Sequence, residues 1–240
     1  KKKFIEVSTN ISKAPLHYFY NAKINKTGFE DYDLLLKKSL APLDQSQIEE
    51  HVKQGAQVID VHPPSTPQVY IGAVYFPPPI LEDYIGHLIK PETPIIIATE
   101  IPKSSEEIIQ RLLQIGYHNI LGYLNKPYTD DSISASLYKP SRISVQDFKS
   151  SFNPTKDLII DVRRPDEWKA GHLKDAEHYP LSDFSSPPNL DPTVKYFIHC
   201  RTGGRSLAAT IILNNLGFIN VTSIDGGTLE MEKHEIEFVK

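Results

Sequence analysis

Tyr196-Phe197-Ile198-His199-Cys200-Arg201-Thr202-Gly203-Gly204-Arg205-Ser206 sets a short apolar run against a glycine pair and two arginines, and a helical stretch follows it. A run of this length bounded by turn residues reads as a buried strand of a parallel sheet. The same sequence of features occurs earlier. Ile95-Ile96-Ile97-Ala98-Thr99 precedes a Ser/Glu-rich turn, a helical stretch and Leu113-Gln114-Ile115-Gly116-Tyr117-His118-Asn119. The later counterpart of that last segment is Asn214-Asn215-Leu216-Gly217-Phe218-Ile219-Asn220. Thr99 and Cys200, Gly116 and Gly217, and Asn119 and Asn220 each stand 101 residues apart. Upstream, Val58-Ile59-Asp60-Val61-His62 lies over Ile159-Ile160-Asp161-Val162-Arg163 at the same offset. So long a shared register implies two copies of one fold.

Each copy reads alike locally. Ser46-Gln47-Ile48-Glu49 has the pattern of a capping box at a helix start, and Ser144-Val145-Gln146-Asp147 is a weaker version. An apolar run ending in Asp-Val follows each. Gly116 and Gly217 stand just past the second helix, where a left-handed backbone ends it. A further short strand completes the unit, at 119–122 and 220–224. Strands alternating with helices predict an α/β fold, in which two tandem domains each carry a parallel sheet flanked by helices. The expected boundaries are an N-terminal extension at 1–45, a first domain at 46–124, a polar linker at 125–142 and a second domain at 143–240. Within the extension, Leu34-Leu35-Leu36-Lys37-Lys38 predicts a short helix.

Composition narrows the possibilities. A chain of 240 residues with 40% hydrophobic content supports one large domain or two of about 100 residues each. A net charge of −4 offers none of the basic excess of a nucleic-acid binder. The single cysteine excludes an intrachain disulfide and a multi-cysteine zinc site, and fits a reducing, cytoplasmic setting. No apolar run approaches the roughly 18–20 residues of a membrane span. The start, Lys1-Lys2-Lys3-Phe4-Ile5, has no apolar core of a signal peptide behind it and no initiating methionine. A piece of a longer protein is the expectation.

The chemistry centres on Cys200. A loop entering a helix presents unpaired backbone N–H groups, and adjacent glycines let several of them converge on one point. Such a concavity holds anions, and a cysteine at its mouth is favoured as thiolate. Arg201 and Arg205 add positive field, so the site predicts a nucleophilic thiolate facing anionic substrates. His199 is expected to be structural, because neighbours on a strand point to opposite faces. Trp168 reads as packing, and His172 and His178 as surface or turn positions.

Cys200-Arg201-Thr202-Gly203-Gly204-Arg205-Ser206 resembles the active-site loop of the rhodanese family. So do Asp161-Val162-Arg163, Glu167-Trp168, Gly171-His172-Leu173, Ala176 and Gly226-Gly227, over about residues 141 to 230. Lys174-Asp175 stand where the family commonly has Pro-Gly. In this superfamily a cysteine and arginine separated by four residues resemble sulfurtransferases, and by five, phosphatases and arsenate reductases. Here four residues separate them, Arg201 to Gly204, which favours sulfur. The resemblance implies that Cys200 carries a persulfide. Arg201, Thr202, Gly203, Gly204, Arg205 and Ser206 would bind substrate, and Asp161 and Arg163 would support the loop, Asp161 by pairing with a loop arginine. The implied partners are small sulfur donors and acceptors: persulfide, thiosulfate, sulfite and thiols. The other readings are a phosphatase or arsenate reductase on the same fold, and a noncatalytic module that binds reactive sulfur.

At the position of Cys200 the first copy has Thr99, followed by Glu100-Ile101-Pro102-Lys103-Ser104-Ser105. It lacks the glycine pair, Pro102 has no N–H, and Glu100 opposes anions. The first copy therefore reads as a degenerate, inactive domain. The order of segments also resembles the C-terminal part of a persulfide dioxygenase–rhodanese fusion, with Asn25-Lys26-Thr27-Gly28-Phe29 and Ala41-Pro42-Leu43 at the first junction. That implies an upstream metallo-β-lactamase-like domain of the same polypeptide with non-haem iron, and a place in sulfide detoxification. No cofactor or metal is expected in the 240 residues themselves: no His-x-His-x-Asp-His run occurs in them.

Overall fold

The computed structural model describes residues 31–239, and the Asn25-to-Phe29 segment lies outside them. Strands β1 (Pro42–Leu43), β2 (Gln57–Val61), β4 (Val74–Phe76), β5 (Ile95–Ala98) and β6 (Ile120–Leu124) form a five-stranded parallel sheet in the order β1-β6-β5-β2-β4. Strands β8 (Arg142–Ile143), β9 (Asp157–Asp161), β10 (Ala176–His178), β11 (Lys195–His199) and β12 (Val221–Ile224) form a second, in the order β8-β12-β11-β9-β10. The orders coincide strand for strand. A short antiparallel pair joins β3 (Val69–Tyr70) to β7 (Leu137–Tyr138).

The helices are α1 (Tyr32–Ser39), α2 (Gln45–Lys53), α3 (Leu81–Leu88), α4 (Ser105–Gln114), α5 (Val145–Ser151), α6 (Pro165–Ala170), α7 (Gly204–Asn215) and α8 (Gly227–Lys233). Both sheets are covered on both faces, which explains why their central strands are apolar throughout. In β5, Ile95 and Ile97 face a large core shared by the two units, while Ile96 and Ala98 face a second core on the outer side. In β11, Tyr196 and Ile198 join the shared core and Phe197 the outer one. Helix α7 packs on β11 and β12 and also on β4 of the first sheet. It is buried along most of its length, as its run Leu207-Ala208-Ala209-Thr210-Ile211 requires.

Several boundaries differ from the sequence expectation. Helix α1 packs on β6 and α4, with Leu35 in the shared core, and β1 pairs with β6. Residues 31–45 therefore belong to the first unit rather than to a separate extension. The cap of α2 is Asp44, not Ser46: Asp44 accepts from the Gln47 amide, and the Gln47 side chain accepts from the Asp44 amide, each at 2.9 Å. Ser144 does cap α5, through the Asp147 amide at 3.0 Å. The segment 125–142 is no free linker, since β7 pairs with β3 and Arg142 opens β8.

Candidate active site

Parallel strands of an α/β sheet deliver their functional residues at their C-terminal ends. Here β9 ends at Asp161 and β11 at His199, side by side in register. Cys200 follows at once, and α7 begins at Gly204. The connecting loop is held from outside. The Cys200 and Arg201 carbonyls accept from the Thr228 and Leu229 amides of α8, at 2.8 and 3.1 Å. With its carbonyls engaged there, the loop turns an amide inward, and the Cys200 Sγ accepts from the Gly203 N–H at 3.1 Å. Gly203 achieves this with φ +99, and a Cβ there would lie 3.2 Å from the Gly226 nitrogen. Gly227 must also lack a side chain, since its Cβ would meet the Cys200 oxygen at 2.2 Å. The Ser206 Oγ lies 3.7 Å from Sγ and donates to the Gly203 carbonyl at 2.9 Å. Cys200 is fully buried with a free thiol, Gly203 to Ser206 are buried beside it, and Arg201 and Thr202 are exposed.

The loop arginine pairs with a residue the sequence reading had not singled out for a role. Arg205 donates bidentately to Glu167 of α6, at 2.6 and 2.8 Å. Burial pushes the Glu167 carboxyl up, but the Arg205 hydrogen bonds and charge outweigh it and hold it down at about 2. Burial works against the Arg205 charge, yet the Glu167 bond and then the nearby Cys200 sulfur raise its pKa above the ordinary value. Helix α6 is itself anchored by Trp168, whose ring stacks on His172 and His178 with centroids 3.7 and 4.7 Å away.

Asp161 does not pair with a loop arginine. It holds Arg163, at 2.6 Å to Nη2 and 2.8 Å to Nε, and Arg163 also donates to the Gly171 carbonyl at 2.8 Å. The reason is local: Arg163 leaves β9 two residues on, close enough to fold back, while Arg205 is already engaged. His199 is fully buried with Nε2 3.6 Å from Asp161. Burial lowers its pKa to about 4 against the pull of Asp161, so the ring is neutral near pH 7. Asp161, Arg163 and His199 thus form a platform under the loop.

The matching loop of the first unit is built differently. Thr99 donates to the Ile101 carbonyl at 2.7 Å, and Pro102–Ser104 forms a tight helical turn. Glu100 accepts from Thr66. A cavity of about 210 Å³ remains there, lined by His62, Thr99, Glu100, Glu107 and Arg111 among others. Asp60, at the position of Asp161, has His62 Nε2 at 3.4 Å as its basic partner among the described residues. Among the described residues, no His/Cys/Asp/Glu group could hold a metal, and no helix is long and apolar enough to cross a membrane.

A family model described as Rhodanese-like domain matches residues 144–234. A candidate mitochondrial thiosulfate sulfurtransferase of Schizosaccharomyces pombe is 36% identical over 112 residues, covering 37% of this chain and 77% of that protein. The thiosulfate sulfurtransferase GlpE of Stutzerimonas stutzeri is 34% identical over 80 residues, covering 32% of this chain and 71% of that protein. A solved rhodanese-related protein of Thermoplasma volcanium is 27% identical with a TM-score of 0.38, covering 41% of this chain and 97% of that one.

Proposed function

This chain belongs to the rhodanese-like family, and from that we propose that it is a sulfurtransferase carrying sulfur on Cys200. The observation that carries the reading is the Gly203 amide donating to Sγ at 3.1 Å inside a loop braced by α8. The thiolate attacks the outer sulfur of thiosulfate or of a small persulfide. A Cys–S–S bond forms, the donor's S–S bond breaks, and sulfite or a thiolate leaves with the bonding electron pair. The loop amides, reaching outward by one atom, hold the terminal sulfur anion of the persulfide. An acceptor thiolate, sulfite or cyanide then attacks that sulfur and releases Cys200. Arg205, fixed by Glu167, supplies positive charge beside the sulfur, and exposed Arg201 and Thr202 meet the arriving anion.

The finer reading is persulfide as donor and sulfite as acceptor, with sulfite supplied by an iron-bearing upstream domain. It rests on the resemblance to the dioxygenase fusions. The first domain, without nucleophile or cradle, takes no sulfur itself.

The test is an intact mass after incubation with thiosulfate or glutathione persulfide and desalting. A gain of one sulfur atom, reversed by sulfite or cyanide and absent in Cys200→Ser, is expected. Transfer should fall by on the order of a thousandfold or more in that variant. No gain with any donor would overturn the reading, and hydrolysis of an aryl phosphate or reduction of arsenate would then point to the oxyanion chemistries.

A further inference from the structure

We propose that the first domain is the roof of the Cys200 site, with Pro77 and Pro64 seated on Gly204. The proposal rests on the sulfurtransferase reading above for its substrate and on separate geometry for its substance.

Gly204 poses the question. It is the first residue of α7, and unlike Gly203 it has no positive φ that would call for glycine. What excludes a side chain is the other domain. A Cβ at Gly204 would lie 2.9 Å from Pro77 Cγ and 3.7 Å from Pro64 Cγ. The second glycine of the loop is therefore dictated across the interface, by two prolines whose rings cannot swing away.

The contact is held at both ends of α7. Near its start, the Arg142 guanidinium donates to the Pro64 carbonyl and, at 2.8 Å, to Asp225, which precedes the Gly226 against which Gly203 packs. At its end, Asn215 donates to the Ala73 carbonyl at 2.9 Å. Helix α3 packs on the turn Leu181–Asp183 of the second domain and buries Tyr84, 6% exposed. Burial raises the phenol's pKa, and the charge of Arg205 opposes it. The covered side of the loop is Gly203 to Ser206, and the open side is Arg201 and Thr202, so an anionic donor arrives over the open side.

The test uses the full chain. Gly204→Ala is expected to lower kcat/KM for thiosulfate by about tenfold or more, and Pro77→Ala in the same chain to restore it to within about threefold. If Gly204→Ala is harmless, or if Pro77→Ala gives no rescue, the roof is refuted. Alkylation of Cys200 by iodoacetamide, followed by mass, reads the same geometry without sulfur chemistry. Gly204→Ala should change its rate several-fold and Pro77→Ala in the same chain should restore it, and an unchanged rate would count against the roof. A parent chain that fails to take up sulfur while showing these alkylation differences would sink the sulfurtransferase reading and leave the roof standing.

Discussion

The two strand-to-helix loops, at Thr99 and at Cys200, occupy the same place in sheets of the same order, yet they face their central side chain with opposite charge. At Cys200 the loop offers an amide, which donates to sulfur. At Thr99 it offers a carbonyl, which accepts from the hydroxyl at 2.7 Å. The supports diverge to match. Asp161 is saturated by Arg163, and Arg205 by Glu167, whereas the first unit sets Glu100 at the equivalent mouth and a histidine in place of Arg163. What makes such a loop reactive is thus the direction of its peptide groups. In the proposed reaction, Cys200 exploits a field that the backbone has already made.

The sharpest way to break that contrast is Gly203→Val. The residue sits at φ +99 with the Gly226 backbone 3.2 Å from any Cβ, so valine forces the loop out of the conformation that aims its amide at sulfur. Turnover with thiosulfate should fall by about a hundredfold, the usual cost of losing one oxyanion-hole donor, while the far-UV spectrum stays that of an α/β fold. Retention of more than a tenth of the activity would show that the amide is dispensable.

A smaller effect separates the arginine supports. The Glu167 carboxyl, held at about 2 when folded against an ordinary value of 4.5, contributes stability that is complete above pH 4.5 and is lost as pH falls toward 2. Glu167→Gln should remove about 2 kcal/mol at neutral pH and flatten that acid limb in denaturant titrations. An acid limb as steep as the parent's would place the titrating group elsewhere.

How far the sequence carried follows from the range of the interactions involved. The central strands, the glycines at φ +93 and +92 that end α4 and α7, and the Cys200 loop were legible because each is written in consecutive residues. The strands β1 and β8 were not, being two residues long and too short for any periodicity. Glu167 was visible beside Trp168, but its bond to Arg205 spans 38 residues of chain, so it was Asp161 that was assigned to the loop arginine. Pro64 and Pro77 lie further still, in the other domain, and Gly204 was explained by backbone freedom when the pressure on it is an adjacent proline. The sequence reading therefore picked out the loop and missed the groups packed against it.

The paired aspartates test the same contrast on stability alone. Burial raises Asp60 to about 6, with His62 opposing, so its contribution to folding is most favourable below pH 3.8 and declines as pH rises through 6. Asp60→Asn should accordingly stabilise the chain by about 1 kcal/mol at pH 7, provided the amide oxygen keeps the bond from the Tyr70 amide, 2.7 Å in the parent. Asp161→Asn should do the reverse and cost about 3 kcal/mol, because it leaves the buried Arg163 without its counter-charge. Shifts of the same sign in the two variants would mean that the sites have not diverged electrostatically.

The faintest expected effect is a null one. Thr99→Cys in a Cys200→Ser chain restores a thiol at the right place in the sheet, and the 210 Å³ cavity beside it gives a small donor room to enter. It should nonetheless give no measurable transfer. A thiolate there would face the Ile101 carbonyl that Thr99 now donates to, with Glu100 and Glu107 on the cavity wall and the Arg111 charge already taken by Glu82 at 2.5 and 2.7 Å. The Ile101 dipole and the two carboxylates would oppose the anion on which nucleophilic attack depends, and outweigh the Ser105 hydroxyl 3.3 Å from the Thr99 oxygen. Its alkylation by iodoacetamide should be slower than that of Cys200 in the parent by about tenfold or more, measured by mass on the two single-cysteine chains. Turnover from Thr99→Cys would mean that the thiol alone makes the site, and the orientation of the peptide groups would lose its place as the cause.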